Sequence, residues 1–142
     1  MDLDRIYTDL ILEASTSKKN QREIENPDVE ELGHNPSCGD EITIVVKFDG
    51  DKIADASYHG EGCAISKAST SFMIDTIKGQ TIDQAKIIIQ SYLDMIRGEK
   101  LTAEQMKSLK DARVLENIKN MPARVKCATL SWHTMQNILA DK

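Results

Sequence analysis

Cys38, Cys63 and Cys127 are the residues of this chain with the richest available chemistry. The chain starts MDLDRIYTDL, without the basic-then-apolar pattern of a secretory signal, and an odd number of thiols does not describe a disulfide framework. Inert buried thiols, a reactive nucleophile and metal ligands are the remaining uses. The neighbours of the cysteines raise the case for a shared thiolate site. Cys38-Gly39-Asp40 sets a thiol and a carboxylate on either side of a glycine, where the backbone can turn sharply and approach closely. Gly60-Glu61-Gly62-Cys63 is a second glycine-rich stretch, and helical periodicity begins at Cys63; Cys127 follows Pro122 and is expected in the first turn of the last helix. Helix N-termini favour thiolates through unpaired N–H groups and the macrodipole. Three thiolates with Asp40 make a tetrahedral donor set that suits zinc, and iron–sulfur ligation by the same groups is chemically possible. The closely spaced cysteine pairs of zinc fingers are missing, so cysteines acting as small buried hydrophobes stay open as the alternative.

Periodicity predicts the elements that must position these groups. Leu3, Ile6, Tyr7, Leu10, Ile11 and Ala14 recur at helical spacing, with Asp2 and Asp4 at the positive end of the dipole, for a first helix ending near Ser15. Residues 17–31 are polar and charged and read as a mobile loop, with a short edge strand as the alternative. Ile42, Ile44, Val46 and Phe48 alternate with Thr43, Lys47 and Asp49, predicting a half-buried strand over 41–49; Asp49-Gly50 signals a hairpin turn into a returning strand over 52–59. Ile65, Ala68, Phe72 and Ile77 then mark a helix ending at Gly79. Thr81 and Gln84 have capping-box spacing at the head of a helix that runs to Gly98. Thr102 and Gln105 repeat that spacing before a more polar helical stretch through Ile118, and Pro122 opens a final helix with Val125, Ala128, Trp132, Met135 and Leu139 on its apolar face. The expected fold is α+β, a single domain over residues 1–142 with a small antiparallel sheet of two to three strands packed by about five helices.

Hairpin arithmetic gathers the site. With the turn centred on residues 50 and 51, opposed residues have numbers summing to about 101, so Cys38 faces Cys63 and Asp40 faces Glu61. A bulge would shift the pairing by one residue and leave the neighbourhood intact. His34, His59 and His133 read as solvated or structural residues, with His34 the spare ligand candidate. Composition narrows the partners. A net charge of −5 argues against a nucleic-acid binder, 4% aromatics against a base-stacking platform, and no apolar run approaches the roughly 18 residues that span a bilayer. A cytoplasmic setting is the expectation.

Asn35-Pro36-Ser37-Cys38-Gly39-Asp40, Gly60-Glu61-Gly62-Cys63-Ala64-Ile65-Ser66 and Arg124-Val125-Lys126-Cys127-Ala128-Thr129-Leu130 resemble, in order, the three cysteine motifs of the iron–sulfur cluster assembly family of IscU, SufU and the NifU N-terminal domain. Within it the chain is most similar to the SufU type. Lys126 stands where scaffold-type members carry a histidine before the third cysteine. The segment from Glu99 to Ile118 matches the insertion of SufU proteins. Met121-Pro122-Ala123-Arg124-Val125-Lys126 replaces the chaperone-recognition motif of IscU.

The resemblance implies a zinc site of Cys38, Asp40, Cys63 and Cys127. It implies a zinc-dependent sulfurtransferase that accepts persulfide sulfur from a PLP-dependent cysteine desulfurase of the SufS type, alongside other Suf assembly proteins. It also implies that one ligand thiolate is released on docking, when a histidine of the desulfurase takes its place at the metal. Cys38 is the expected nucleophile and Cys127 the second choice, with Arg124 placed to steady a sulfur anion or to form a surface salt bridge. The alternative is an IscU-like scaffold on which an iron–sulfur cluster is assembled and transferred.

Overall fold

The computed structural model describes residues 3–36 and 39–142, with the backbone alone for residues 3–6. Cys38 therefore lies outside the described residues, as do the side chains of Asp2 and Asp4. In chain order the elements are α1 (Leu3–Thr16), β1 (Val29–Asn35), β2 (Asp40–Asp49), β3 (Lys52–Glu61), α2 (Ala64–Ile77), α3 (Ile82–Ile96), α4 (Ala103–Ser108), a 3₁₀ helix (Lys110–Asn120) and α5 (Pro122–Leu139). The sheet is antiparallel with order β1-β2-β3. The expected α+β architecture holds, and the edge strand is formed.

The alternation in β2 does what its period requires. Ile42, Ile44 and Val46 are buried on the sheet face that meets the helices, opposite Gly60, Tyr58 and Ala56 of β3. Gly50 takes a φ of 60° in the turn, and Asp49 pairs with Lys52. The register then shifts between Lys47 and Phe48: Phe48 faces Ile53 but Lys47 faces Asp55, leaving Ala54 as the extra residue of a bulge. At the open end Glu41, not Asp40, therefore faces Glu61. That corrects the expected pairing by the one residue that a bulge adds.

α2, α3 and α5 close the core over this face, with Trp132, Tyr58, Tyr92, Met73, Ile74 and Ile89 among the large side chains buried almost completely. Gly79 and Gly98 adopt φ values of 85° and 87°, ending α2 and α3 as their positions predict. Thr102 and Gln105 form the reciprocal capping box of α4, whereas Thr81 caps α3 by accepting the Gln84 N–H. The stretch read as one helix through Ile118 is instead a short α-helix followed by the 3₁₀ segment; Leu109 at their junction and Ala112, Leu115 and Ile118 of the 3₁₀ segment are buried in the core.

The segment before β1 is tied down, against the expectation of a mobile loop. Asn20, buried, donates to the Ser71 carbonyl, its hydroxyl and the Asp75 carboxylate, and its own carbonyl accepts the Tyr58 N–H at 2.9 Å. Arg22 grips Asp55 with two hydrogen bonds of 2.8 and 2.7 Å. Gly33 of β1 lies against Thr134 of α5 so closely that a Cβ would strike its hydroxyl.

Candidate metal centre

Asp40 is the first residue of β2, at the open end of the hairpin, and is fully buried. A buried carboxylate needs hydrogen bonds to offset the loss of water. Oδ1 accepts the backbone N–H of Cys63 at 3.1 Å, and Oδ2 accepts the Ser66 hydroxyl in a short hydrogen bond. Both donors come from the start of α2, so the sheet carboxylate is fastened to the helix that presents the thiol.

Two glycines allow this approach. Gly60 has a φ of 125°, and a Cβ there would run into the Glu41 carbonyl. A Cβ on Gly62 would stand 2.9 Å from Asp40 Oδ1 and 3.1 Å from the Ser66 Cβ. The chain leaving β3 therefore folds directly over the carboxylate and delivers Cys63 as the N-cap of α2, the helix-start position expected of it.

Burial pushes the Cys63 thiol up, but the Ser66 hydroxyl, the Ser66 N–H and Cys127 together hold it below its ordinary range, with Asp40 opposing. Cys127 is almost completely buried and lies in the second turn of α5, not the first: Pro122 is the opening residue, and the intervening residues complete one turn. The helix-start advantage expected for Cys127 is thus corrected. Its place is set by α5 packing: the next carbonyl, of Ala128, accepts the Ser69 hydroxyl at 2.6 Å and the Tyr92 hydroxyl at 2.7 Å.

One ligand atom each from Asp40, Cys63 and Cys127 lies within 4.8 Å of the others. Zinc bonds of about 2.0–2.3 Å in a tetrahedron put donor atoms about 3.5–3.8 Å apart, so a small contraction suffices. Two sulfurs and one carboxylate oxygen, in a setting that excludes water from the carboxylate, fit that ion in donor chemistry and spacing. The structure thus brings together three of the four expected ligands; Cys38, separated from Asp40 by Gly39 alone, lies outside the described residues.

The remaining candidates are peripheral. His34 is exposed with its Nε2 3.6 Å from Glu41 Oε1, and His59 and His133 are exposed. Arg124 is exposed on α5, one turn before Cys127. Trp132 and Met135 are core residues, as their spacing suggests. Ser66 was legible only as part of a motif; its N3 position relative to the Cys63 N-cap is the signal that marks it as a neighbour of both ligands.

Residues 6–141 match the model of the NifU-like N-terminal domain. The zinc-dependent sulfurtransferase SufU of Bacillus subtilis is 36% identical over 99% of this chain and 94% of its own. The iron–sulfur cluster assembly scaffold protein IscU of Thermotoga maritima is 38% identical over 94% of this chain and 92% of its own. Among solved structures, a protein described as an iron–sulfur cluster assembly scaffold for the SUF system, from Fervidobacterium islandicum AW-1, superposes with a TM-score of 0.86 at 38% identity, covering 97% of this chain and 99% of the other.

Proposed function

The chain belongs to the NifU-like N-terminal domain family, and from that premise we propose that it is a zinc-dependent sulfurtransferase, accepting persulfide sulfur from a PLP-dependent cysteine desulfurase for iron–sulfur cluster assembly. The convergence of Asp40, Cys63 and Cys127 ligand atoms within 4.8 Å carries this reading. Cys38 is the fourth ligand in the proposal. Bound zinc supplies deprotonated thiolates at neutral pH and shields them from oxidation.

Sulfur transfer asks one cysteine of this chain to act as nucleophile. Its thiolate attacks the terminal sulfur of the donor persulfide; a new S–S bond forms here, the donor S–S bond breaks, and the donor cysteine leaves as a thiolate. Cys38 is assigned that role. Cys127 is almost completely buried, and Cys63 is half-buried and fastened through its N–H to Asp40, so neither is well presented to a macromolecular donor. Arg124, one turn from Cys127, is assigned to hold the resulting persulfide anion near the site.

A scaffold role is favoured by two likenesses at 38% identity, to a relative named as an IscU scaffold and to a solved structure described as a scaffold for the SUF system. Metal analysis and a coupled desulfurase assay separate the two readings. The relay predicts about one zinc per chain, no cluster absorbance, and faster cysteine turnover by the desulfurase that chelation abolishes. A stable brown cluster on the protein purified without added metal would support the scaffold. Unchanged turnover with C38A, C63A and C127A variants would rule out transfer through this site.

A further inference from the structure

We infer that Ser66 is the positioning residue of the metal centre, holding the Asp40 carboxylate in register with the Cys63 sulfur before any metal arrives. The inference rests on the zinc reading above and concerns how this chain presents its ligands. Ser66 is buried to 1% exposure, and its Oγ touches two proposed ligands at once: Asp40 Oδ2 by a short hydrogen bond and Cys63 Sγ at 3.5 Å.

A serine hydroxyl has one proton to give. The Ser66 hydroxyl donates to the Asp40 carboxylate and lies 3.5 Å from Cys63 Sγ, so one side chain spans both groups. The carboxylate is held at both oxygens, by Ser66 and by the Cys63 N–H at 3.1 Å. Each oxygen retains a lone pair for one further bond. Asp40 and Cys63, from different elements, are thereby coupled as one rigid ligand pair, to which α5 brings Cys127.

The neighbouring hydroxyls of α2 have other partners among the described residues. Thr70, one turn on, donates to the Ser66 carbonyl and contacts the Ser131 hydroxyl, and Ser69 serves the Ala128 carbonyl; both brace helices. Ser66→Ala removes the hydroxyl and keeps a good helix former at N3, so α2 itself is preserved.

The test is zinc affinity by competition with a chromogenic chelator, on the full chain, for wild type, S66A, T70A, D40A and the D40A/S66A pair, with cobalt absorption spectra as the second readout. S66A is expected to bind zinc about 10- to 100-fold more weakly, as loss of an outer-shell partner generally does, and to shift the cobalt ligand-field bands. T70A stays within about threefold of wild type with an unchanged spectrum, and S66A adds less than about threefold in the D40A background. Equal losses in S66A and T70A, an undiminished S66A effect without Asp40, or an S66A protein with wild-type affinity and spectrum would each overturn the inference. Failure of wild type itself to bind zinc would instead overturn the zinc reading.

Discussion

Gly62 and Asp40 are in such close register that a Cβ at position 62 would lie 2.9 Å from Asp40 Oδ1 and force one of them to shift. The carboxylate has nowhere to retreat, because it is fully buried and both its oxygens are held by the start of α2. Gly62→Ala is expected to displace Asp40, to cost about 1–3 kcal/mol of stability as overpacking does, and to weaken zinc binding at least tenfold. Denaturant unfolding and chelator competition on the same variant check both effects; wild-type zinc affinity would show that the carboxylate is not held where the metal needs it.

Asp55 makes the fold sensitive to acid. The Arg22 hydrogen bonds hold its carboxyl down to about 2 despite the opposing effect of burial, with the Ala56 N–H and Lys78 assisting. A folded-state value below the ordinary 3.8 means stabilisation that is present above about pH 4 and fades as pH falls toward 2. The side chain is 29% exposed, so solvent screening reduces the contribution to on the order of 1 kcal/mol. Asp55→Asn is expected to lower urea stability by that amount at pH 7 and by much less near pH 2.5. A pH-independent difference between the two proteins would show that charge is not what Asp55 contributes.

The sequence made the site's neighbourhood legible but not its register. Glycines before Cys63 and apolar spacing after it mark a strand-to-helix joint, and the hairpin brings the Asp40 end to that joint from local signals alone. The bulge at Ala54 has no such signal, since it depends on how β3 is covered by its neighbours. It is why Glu41, not Asp40, faces Glu61 and why Asp40 is left to meet Gly62 and Cys63. β1 was hidden for a related reason. Val29–Asn35 reads VEELGHN, with too few apolar residues to alternate, and its place is set by pairing with β2 and by Gly33 against Thr134. Counting from Pro122 would have put Cys127 in the second turn; composition around it hid a step that helix geometry makes plain.

The segment between α3 and α5 is structural. Leu115 of the 3₁₀ helix is fully buried in the main core cluster beside Leu109 and Ala112. Leu115→Ala is expected to cost about 2–5 kcal/mol, the range for truncating a large core side chain. Equilibrium unfolding in urea reads this directly, and a loss below about 1 kcal/mol would mean the segment is a surface ornament.

The helix turn that carries Cys127 is pinned by a hydroxyl pair. Ser69 and Tyr92 both donate to the Ala128 carbonyl, and Ser69 Oγ in turn accepts Trp132 Nε1–H at 2.9 Å, while the Tyr92 and Trp132 rings stack with centroids 3.7 Å apart. The two hydroxyls are not equivalent. Removing Ser69 leaves a fully buried indole N–H without this acceptor, whereas removing the Tyr92 hydroxyl leaves a phenyl ring with no polar atom and an Ala128 carbonyl still served by Ser69. An orphaned buried donor costs about 1–3 kcal/mol, a deleted pair much less. Ser69→Ala is therefore expected to lower Tm more than Tyr92→Phe, by about 2–4 °C for each kcal/mol in a chain near this size. Trp132, the single tryptophan, reports the event by fluorescence: its emission changes in S69A as the indole loses its partner. If Tyr92→Phe proved the more damaging variant, the Ala128 carbonyl rather than the Trp132 N–H would be the critical group at this turn.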